Sequence, residues 1–251
     1  KSSSQIKGLV EFSNVNFSYV KGIRVLKNIS FSISAGEKVA FVGETGAGKS
    51  TLINLLSRFY EIKEGKILID GLPISNYDLY DFRKKIGIVN QDVFLFADTI
   101  YNNITLWDSS IGFRDVVSAA KRIGVHDFID SLPGKYDFNV KERGGVLSTG
   151  QRQLISFLRA YIKKPKILIL DEATSSIDTQ SELMIQKATK EVTKNKTSLV
   201  IAHRLSTIKK ADKIIVMDKG SIVEIGCHKS LLLKSDGYYK KLHDAQFFRK
   251  K

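Results

Sequence analysis

Nine consecutive residues combine glycines, a lysine and hydroxyl side chains in an order suited to binding phosphate. They fit the pattern G-x-x-x-x-G-K-[ST] between a strand and a helix, and they are Gly43, Glu44, Thr45, Gly46, Ala47, Gly48, Lys49, Ser50 and Thr51. The glycines let the backbone curl so that its N–H groups point inward at an anion. Lys49 can then reach the β- and γ-phosphates, while the Ser50 hydroxyl can ligate Mg²⁺. The stretch predicts a site for a triphosphate tail and its metal ion.

Two acidic residues, Asp171 and Glu172, follow the apolar run 167–170. Such a run is typical of a parallel strand that is buried on both faces. An acid at the end of this strand, beside the phosphate loop, can hold Mg²⁺, and a second acid can orient and deprotonate an attacking water. We therefore predict that Asp171 serves the metal and Glu172 the water. The alternative is a strand that simply exits into an acidic turn.

The periodicity of the chain predicts the elements that must position these motifs. Strands are predicted at 9–19 (with a bulge), 26–33, 39–42, 65–71, 86–89, 166–171, 198–202 and, as a hairpin, 213–225. Helices are predicted at 50–59, 109–123, 126–132, 151–164 and 181–192. Antiparallel strands thus precede a parallel α/β core, and the pattern between residues 92 and about 163 predicts a helical lobe inserted into that core.

Composition sets limits on the kind of protein this is. The 251 residues have 43% hydrophobic and 26% charged side chains, an ordinary globular balance. A single cysteine, Cys227, excludes an internal disulfide and suits a reducing compartment. No apolar run approaches the roughly 20 residues that span a bilayer. The polar opening without methionine, residues 1–8, is interpreted as a linker.

The formal net charge of +14 calls for an anionic partner: nucleic acid, an anionic membrane surface or anionic nucleotides. The lysines and arginines, however, are scattered in twos and threes along the chain. This distribution is more typical of solvated faces and helix ends than of a nucleic-acid patch.

A third motif, residues 147–153 (Leu-Ser-Thr-Gly-Gln-Arg-Gln), begins a predicted helix about twenty residues before Asp171. Gln91 lies at the edge of the lobe, 175–178 (Ser-Ser-Ile-Asp) follow the acids, and 202–207 (Ala-His-Arg-Leu-Ser-Thr) follow the next strand. Together with the phosphate loop, these motifs resemble the nucleotide-binding domain of ATP-binding cassette (ABC) transporters over essentially the whole chain. The resemblance implies a P-loop NTPase (RecA-like) core with an antiparallel β subdomain and an inserted α-helical subdomain.

The resemblance also implies the domain limits. Residues 1–8 would be a linker from a preceding transmembrane domain, and 9–251 the ABC ATPase domain, with the helical subdomain at about 92–163.

Roles within one subunit follow from the same resemblance. Tyr19, whose ring the sequence alone leaves between base stacking and strand packing, would stack on the adenine of ATP. Gln91 would contact Mg²⁺ and the attacking water while sensing the transport domain. Glu172 would be the general base, and His203 would touch the γ-phosphate.

Other roles would be exerted across a dimer. In this family two cassettes associate head to tail, so that Ser148 and Gly150 bind the ATP held by the partner's phosphate loop, and Gln151 is included in this nucleotide-binding set. A helix N-terminus facing a γ-phosphate is electrostatically favourable. Asp178 would lie in the loop that crosses the interface.

The resemblance is to exporters in particular, because 141–145 (Lys-Glu-Arg-Gly-Gly) looks like their cross-talk segment. We therefore expect Mg²⁺-dependent ATP hydrolysis that powers export from the cytoplasmic face of the cell (inner) membrane, with a second ABC domain and a transmembrane domain as partners and no nucleic acid. The alternatives are a soluble ABC-type ATPase acting on nucleic acid or ribosomes, and a regulatory module without catalysis. One departure is Thr149, where the family has glycine, which puts the affinity or efficiency of one dimer site in doubt.

A few other residues invite an interpretation. Phe94, Phe96 and Trp107 are either lobe core or part of a groove for a short helix of a transmembrane domain. Cys227 is predicted to pack rather than to react. His126, His228 and His243 are predicted to lie at the surface or in packing, because their spacing suggests no metal site.

Overall fold

The computed structural model describes residues 6–172 and 177–247, which divide into two compact units. The strands are β1 (Val10–Phe17), β2 (Leu26–Ile33), β3 (Lys38–Val42), β4 (Glu64–Ile69), β5 (Leu72–Pro73), β6 (Ile86–Val89), β7 (Ile167–Asp171), β8 (Thr197–Ile201), β9 (Lys213–Asp218) and β10 (Ser221–Gly226). The helices are α1 (Lys49–Leu56), α2 (Leu79–Lys85), α3 (Ile100–Thr105), α4 (Phe113–Ile123), α5 (His126–Asp130), α6 (Thr149–Ile162), α7 (Thr179–Thr193), α8 (Leu205–Lys209), α9 (His228–Leu232) and α10 (Tyr238–Phe247).

The first unit comprises residues 6–86, 166–172 and 195–247 and contains the two β-sheets, except that residues 87–89 of β6 are assigned to the second unit. One sheet is antiparallel, with the strand order β2-β1-β4-β5. Its β1–β2 register shifts on both sides of Val15, which confirms the predicted bulge. Alternate residues of β2 are buried from Ile29 to Ile33, as expected for a sheet with one face on the core.

The other sheet of this unit has the strand order β10-β9-β3-β8-β7-β6. Strand β3 pairs in parallel with β8 and β9, and β7 pairs in parallel with β8. Every residue of β8 is buried, as its continuous apolar sequence predicts. Because Phe41 and Asp171 both lie opposite Ile201, the ends of β3, β7 and β8 reach the same edge of the sheet.

The chain enters the first unit through a segment held by one carboxylate. Asp70 accepts hydrogen bonds from the backbone N–H groups of Lys7 (2.6 Å), Gly8 (3.1 Å) and Leu9 (2.9 Å). The Gly8 carbonyl in turn accepts a hydrogen bond of 2.7 Å from the Thr197 hydroxyl. Residues 7 and 8, interpreted from sequence as linker, are therefore bonded to the domain, while the linker and domain limits themselves remain predictions.

Replacing Asp70 with alanine is expected to lower the free energy of unfolding by about 2 kcal/mol, because three N–H groups lose a charged acceptor. Urea denaturation would measure the change, with Asp236→Ala, an exposed aspartate of the same unit, as the control. Asp70→Asn, which keeps one acceptor oxygen, should lose less. A loss for Asp70→Ala of under about 0.5 kcal/mol would contradict this role, since that is the range of ordinary surface substitutions.

The second unit comprises residues 87–165 and 177–194 and is helical, with α6 packed against α3, α4 and α7. The predicted lobe, 92–163, falls within it. Helix α4 begins at Phe113 instead of the predicted 109, because the Asp115 carboxylate accepts the Gly112 N–H and fixes the start there. Helix α2, in the first unit, was not predicted; Asp78 caps it by accepting the Asp81 N–H.

A half-buried arginine holds the loop before α3 in this second unit. Arg159 donates to the backbone carbonyls of Asn103 (2.7 Å) and Phe94 (3.0 Å). Burial lowers the pKa of Arg159 to about 10. Phe94 and Phe96 of this loop are 54% and 39% exposed, and Trp107, which follows α3, is 53% exposed. The interpretation of these aromatic rings as lobe core is therefore wrong.

The smaller predictions have mixed outcomes. Cys227 directly precedes α9, where its backbone N–H donates to the Ser230 hydroxyl. The cysteine is exposed, so the prediction that it packs is wrong. His243 is buried beside His228 and Tyr239, as predicted for packing histidines.

Across residues 6–172 and 177–247, no helix combines the length and apolar character needed to cross a membrane.

Candidate functional site

The phosphate loop connects β3 to α1 in the conformation that its glycines permit. Gly43 has φ 154°, and a Cβ on it would lie 2.2 Å from the Met217 carbonyl oxygen. Gly48, with φ 100°, is the N-cap of α1 and provides no side-chain cap. The first turn of α1 also contains no acidic residue, so the N–H groups at this helix end are suited to an anion.

The side chain of Lys49 turns back into the phosphate loop. Its side chain is buried, with 7% exposure of the residue, and its Nζ donates to the carbonyl oxygens of Gly43 (2.7 Å) and Glu44 (2.9 Å). Burial lowers the pKa of Lys49, and the negative charge of Asp171 opposes that shift. The loop therefore holds a cation at its centre, as triphosphate binding requires.

The two acidic residues differ in their surroundings. Asp171 is the last residue of β7 and acts electrostatically on Lys49. Glu172 turns toward the segment after β8, where its carboxylate accepts hydrogen bonds from the backbone N–H groups of His203 (3.2 Å) and Arg204 (3.3 Å). The Thr207 hydroxyl donates a third hydrogen bond, to Oε1 of Glu172.

The pKa of Glu172 reflects two opposing effects. Burial raises it above the usual value for glutamate, while the hydrogen bonds from Thr207 and His203 lower it. A carboxylate with a raised pKa is a stronger base, so this environment suits proton abstraction from water.

His203 follows β8 and belongs to the same sheet edge. Burial lowers its pKa, and the positive charge of Lys49 lowers it further. The neutral imidazole is therefore favoured near neutral pH, which leaves one nitrogen as donor and one as acceptor. The structure thus brings together, within the first unit, four residues predicted from sequence: Lys49, Asp171, Glu172 and His203.

Tyr19 is also tied to the phosphate loop and its helix. Its hydroxyl donates to Thr51 Oγ1 (3.2 Å) and accepts from the Asn54 amide (3.3 Å). The ring contacts Phe17 and Tyr60 edge to face and remains 45% exposed. A ring fixed at this place, with part of its surface accessible, is available for stacking on a base.

The remaining predicted residues lie in the second unit, where local structural roles account for several of them. Gln91 is exposed just after β6. Ser148 caps α6 by accepting the Gln151 N–H (3.2 Å), and the Gln151 side chain accepts the Ser148 N–H (2.9 Å). This capping box satisfies N–H groups at the start of α6, which explains why α6 begins at Thr149 instead of the predicted 151. Ser148 and Thr149 are both exposed. The Thr149 hydroxyl accepts a hydrogen bond from Arg152.

Gly150 and Asp178 both act at the contact between α6 and α7. A Cβ on Gly150 would lie 2.6 Å from Cβ of Ser181, so the glycine allows the two helices to approach. Asp178 caps α7 by accepting the Ser181 N–H at 2.8 Å, and this bond lowers the pKa of Asp178. Of the motif 175–178, residues 175 and 176 lie outside the described residues. The nucleotide-binding roles assigned to this unit remain predictions.

Sequence reasoning singled out the stretch 202–207 but assigned no role to Thr207, and it missed Asp70 altogether. A hydroxyl that follows His203 by four residues at the start of a short helix is the signal that was available for Thr207. Asp70 gives no such signal, because its partners are backbone groups about sixty residues away in sequence.

Comparisons with known proteins agree with this geometry. A sequence profile described as ABC transporter matches residues 26–175. The chain is 49% identical over 243 residues to an ATP-dependent lipid A-core flippase of Syntrophus aciditrophicus, covering 97% of the chain and 40% of the flippase. It is 46% identical over 235 residues to a fatty acid ABC transporter ATP-binding/permease protein of Mycobacterium tuberculosis, covering 94% of the chain and 37% of that protein.

A solved structure of a bacterial Atm1-family ABC exporter with ATP bound superposes with a TM-score of 0.89 at 43% identity, covering 96% of this chain and 42% of that one. The chain thus spans about 40% of the length of the flippase and of the exporter. The profile match and the identities establish the family and its fold. The chain belongs to the ABC transporter family and has the P-loop NTPase fold of its ATP-binding domains.

Proposed function

We propose that this chain binds ATP with Mg²⁺, hydrolyses it to ADP and phosphate, and couples that reaction to export across a membrane. The observation that carries the proposal is the common edge of β3, β7 and β8, where a buried lysine, two carboxylates and a histidine meet. Ligands of open α/β sheets bind at the carboxyl ends of the strands. Phosphoryl transfer relies on positioning and charge stabilisation, and these four side chains provide both.

The groups at this site have separate tasks in the proposed mechanism. Lys49 and the N–H groups at the start of α1 stabilise the negative charge of the β- and γ-phosphates. Glu172 accepts the proton of the attacking water, and His203 hydrogen-bonds the γ-phosphate. Tyr19 stacks on the adenine.

Oxygen ligands fit the binding of Mg²⁺. We assign them to the Ser50 hydroxyl at the start of α1 and to the carboxylate of Asp171, with Gln91 as the further ligand that the family resemblance implies. An ion held by these residues would neutralise negative charge on the phosphates.

The partners belong to the same proposal. We propose that two such domains associate head to tail around ATP, each offering its Ser148, Gly150 and Gln151 to the nucleotide of the other, with Asp178 at the interface. The capped start of α6 is exposed and so supports that role for Ser148. Thr149 leaves open whether the second domain is an identical chain or a different one.

The proposal of a membrane partner rests on the names of the relatives and on an exposed aromatic surface of this chain. Of the two relatives compared above, one is named as a flippase and the other as an ABC transporter ATP-binding/permease protein. The exposed rings of Phe94, Phe96 and Trp107 support docking of a short helix from a transmembrane domain. The location would be the cytoplasmic face of the cell (inner) membrane. A soluble ABC-type ATPase acting on nucleic acid is the disfavoured alternative, since these relatives are a flippase and a transporter.

Phosphate release from ATP tests the proposal. We expect turnover in the presence of Mg²⁺ and a fall to background when EDTA removes it, because the phosphate charge is then not neutralised. Nucleic acid should leave the rate unchanged, and any binding to it should weaken steeply with salt. Hydrolysis that persists in EDTA, or that depends on nucleic acid, would contradict the proposal.

A further inference from the structure

The carboxylate of Glu172 is held by a single short segment of the chain, residues 203–207. The backbone N–H groups of His203 and Arg204 both donate to Oε2. Only the Thr207 hydroxyl among the described donors reaches Oε1, at 2.5 Å. The segment that carries the predicted γ-phosphate contact, His203, therefore also carries the donors that orient the predicted base.

The backbone of this segment is itself fixed to the sheet. The Ala202 N–H donates to the Phe41 carbonyl (3.2 Å), and the Glu172 N–H donates to the Ile201 carbonyl (3.1 Å). Thr207 is buried, at 9% exposure, and its own N–H donates to the Arg204 carbonyl (3.1 Å). The Thr207 hydroxyl is thus presented to Glu172 from a rigid position.

The two oxygens of the carboxylate need separate anchors. The terminal torsion of a glutamate side chain is broad, so bonds to Oε2 alone leave the plane of the carboxylate free to turn. A donor on Oε1 fixes that plane. Arg204, beside this site, and Lys38 of β3 act on the carboxylate through their charges, whereas the Thr207 hydroxyl is the hydrogen-bond donor that the structure shows at Oε1.

We propose that Thr207 is a positioning residue for ATP hydrolysis: its hydroxyl sets the orientation in which Glu172 receives the proton of the attacking water. The inference rests on the proposed function of Glu172 as general base. It assigns Thr207 no contact with ATP, so its removal should lower turnover and leave nucleotide binding unchanged.

The test compares steady-state ATP hydrolysis of the purified protein with that of Thr207→Val, which keeps the shape and removes the hydroxyl. We expect kcat to fall about tenfold, as for loss of one hydrogen bond to a charged group, with KM for ATP unchanged. Thr207→Ser, which restores a hydroxyl, should recover kcat to within about twofold of the original. Ser206→Ala, at the exposed neighbouring position, is the matched control and should keep the original kcat.

A double substitution ties the effect to Glu172. In the Glu172→Gln background, Thr207→Val should leave the residual single-turnover rate unchanged within about twofold, because the group it orients is gone. Thermal unfolding identifies variants that fail to fold, and Thr207→Ala replaces Thr207→Val in that case. An unchanged kcat, a change confined to KM, no recovery by serine, or additive losses with Glu172→Gln would each overturn the inference.

These outcomes are separate from failure of the proposed function. If Glu172→Gln is inactive while Thr207→Val is normal, the positioning role is wrong and the proposed function stands. If Glu172→Gln itself hydrolyses ATP normally, the assignment of the base is wrong and the inference falls with it.

Discussion

Glu172→Gln is expected to lower ATP turnover by about 100- to 10,000-fold, the contribution typical of a general base. Glutamine keeps the size of the side chain and can accept the hydrogen bonds from residues 203 and 204, but it cannot take a proton from water. Because binding does not need that proton transfer, ATP should remain bound and the two domains should remain associated. Phosphate release and sedimentation with Mg²⁺ and ATP measure the two effects.

A matched control separates this effect from a general loss of charge. Glu61→Gln removes an exposed carboxylate of the same unit that belongs to none of the motifs, and this variant should hydrolyse ATP normally. The assignment of Glu172 would be wrong if its glutamine variant retained normal turnover. The proposed dimer would be wrong if that variant, saturated with ATP, stayed monomeric at high concentration.

Lys49→Ala should weaken ATP binding by about 10- to 100-fold, because a hydrogen-bonded charge on the phosphates is lost. Titration calorimetry with Mg²⁺ and ATP measures the affinity directly. Lys63→Ala, which removes an exposed lysine of the same unit, should bind ATP as before.

The Lys49 variant needs a check on the loop itself. Nζ of Lys49 donates to the carbonyls of Gly43 and Glu44, so alanine also removes two contacts within the loop. Lys49→Met keeps most of the side-chain length without the charge, and thermal unfolding reports whether either variant is folded. Unchanged affinity in a folded variant would place the triphosphate elsewhere.

The parts of the site that sequence predicted are those encoded locally. The phosphate loop, the acids after β7 and the histidine after β8 are each marked by an apolar run that ends in a polar residue. Parallel strands with such runs end at a common edge, so the sequence alone is enough to place Lys49, Asp171 and His203 together. Their roles toward ATP and Mg²⁺ remain proposals.

Contacts between residues distant in sequence could not be predicted in this way. Thr207 meets Glu172 across 35 residues and Asp70 meets Leu9 across 61, and neither pair is part of a periodic pattern. Gly150 illustrates a related limit. Its motif suggested a nucleotide contact, whereas the structure shows that its missing side chain admits Ser181 of α7, and one glycine can serve both purposes.

Helix limits were predicted less well than strand limits for a physical reason. Strand β2 matched its predicted range, and burial alternates along its second half, from Ile29 to Ile33. The starts of α4 and α6 depend on single capping side chains, Asp115 and Gln151, whose bonds periodicity does not reveal.

The hydrogen bonds of Asp70 also have a mechanical consequence. A pull on the chain before Ile6 would act first on that buried residue and then on Lys7 and Gly8. From there it would load Asp70, directly after β4, and Thr197 at the start of β8. Strand β8 leads at its other end to His203, so tension at the entry of the chain acts along the strand that presents this histidine. These hydrogen bonds would pass part of the load to β4 and β8, whereas a segment without them would stretch without loading either strand.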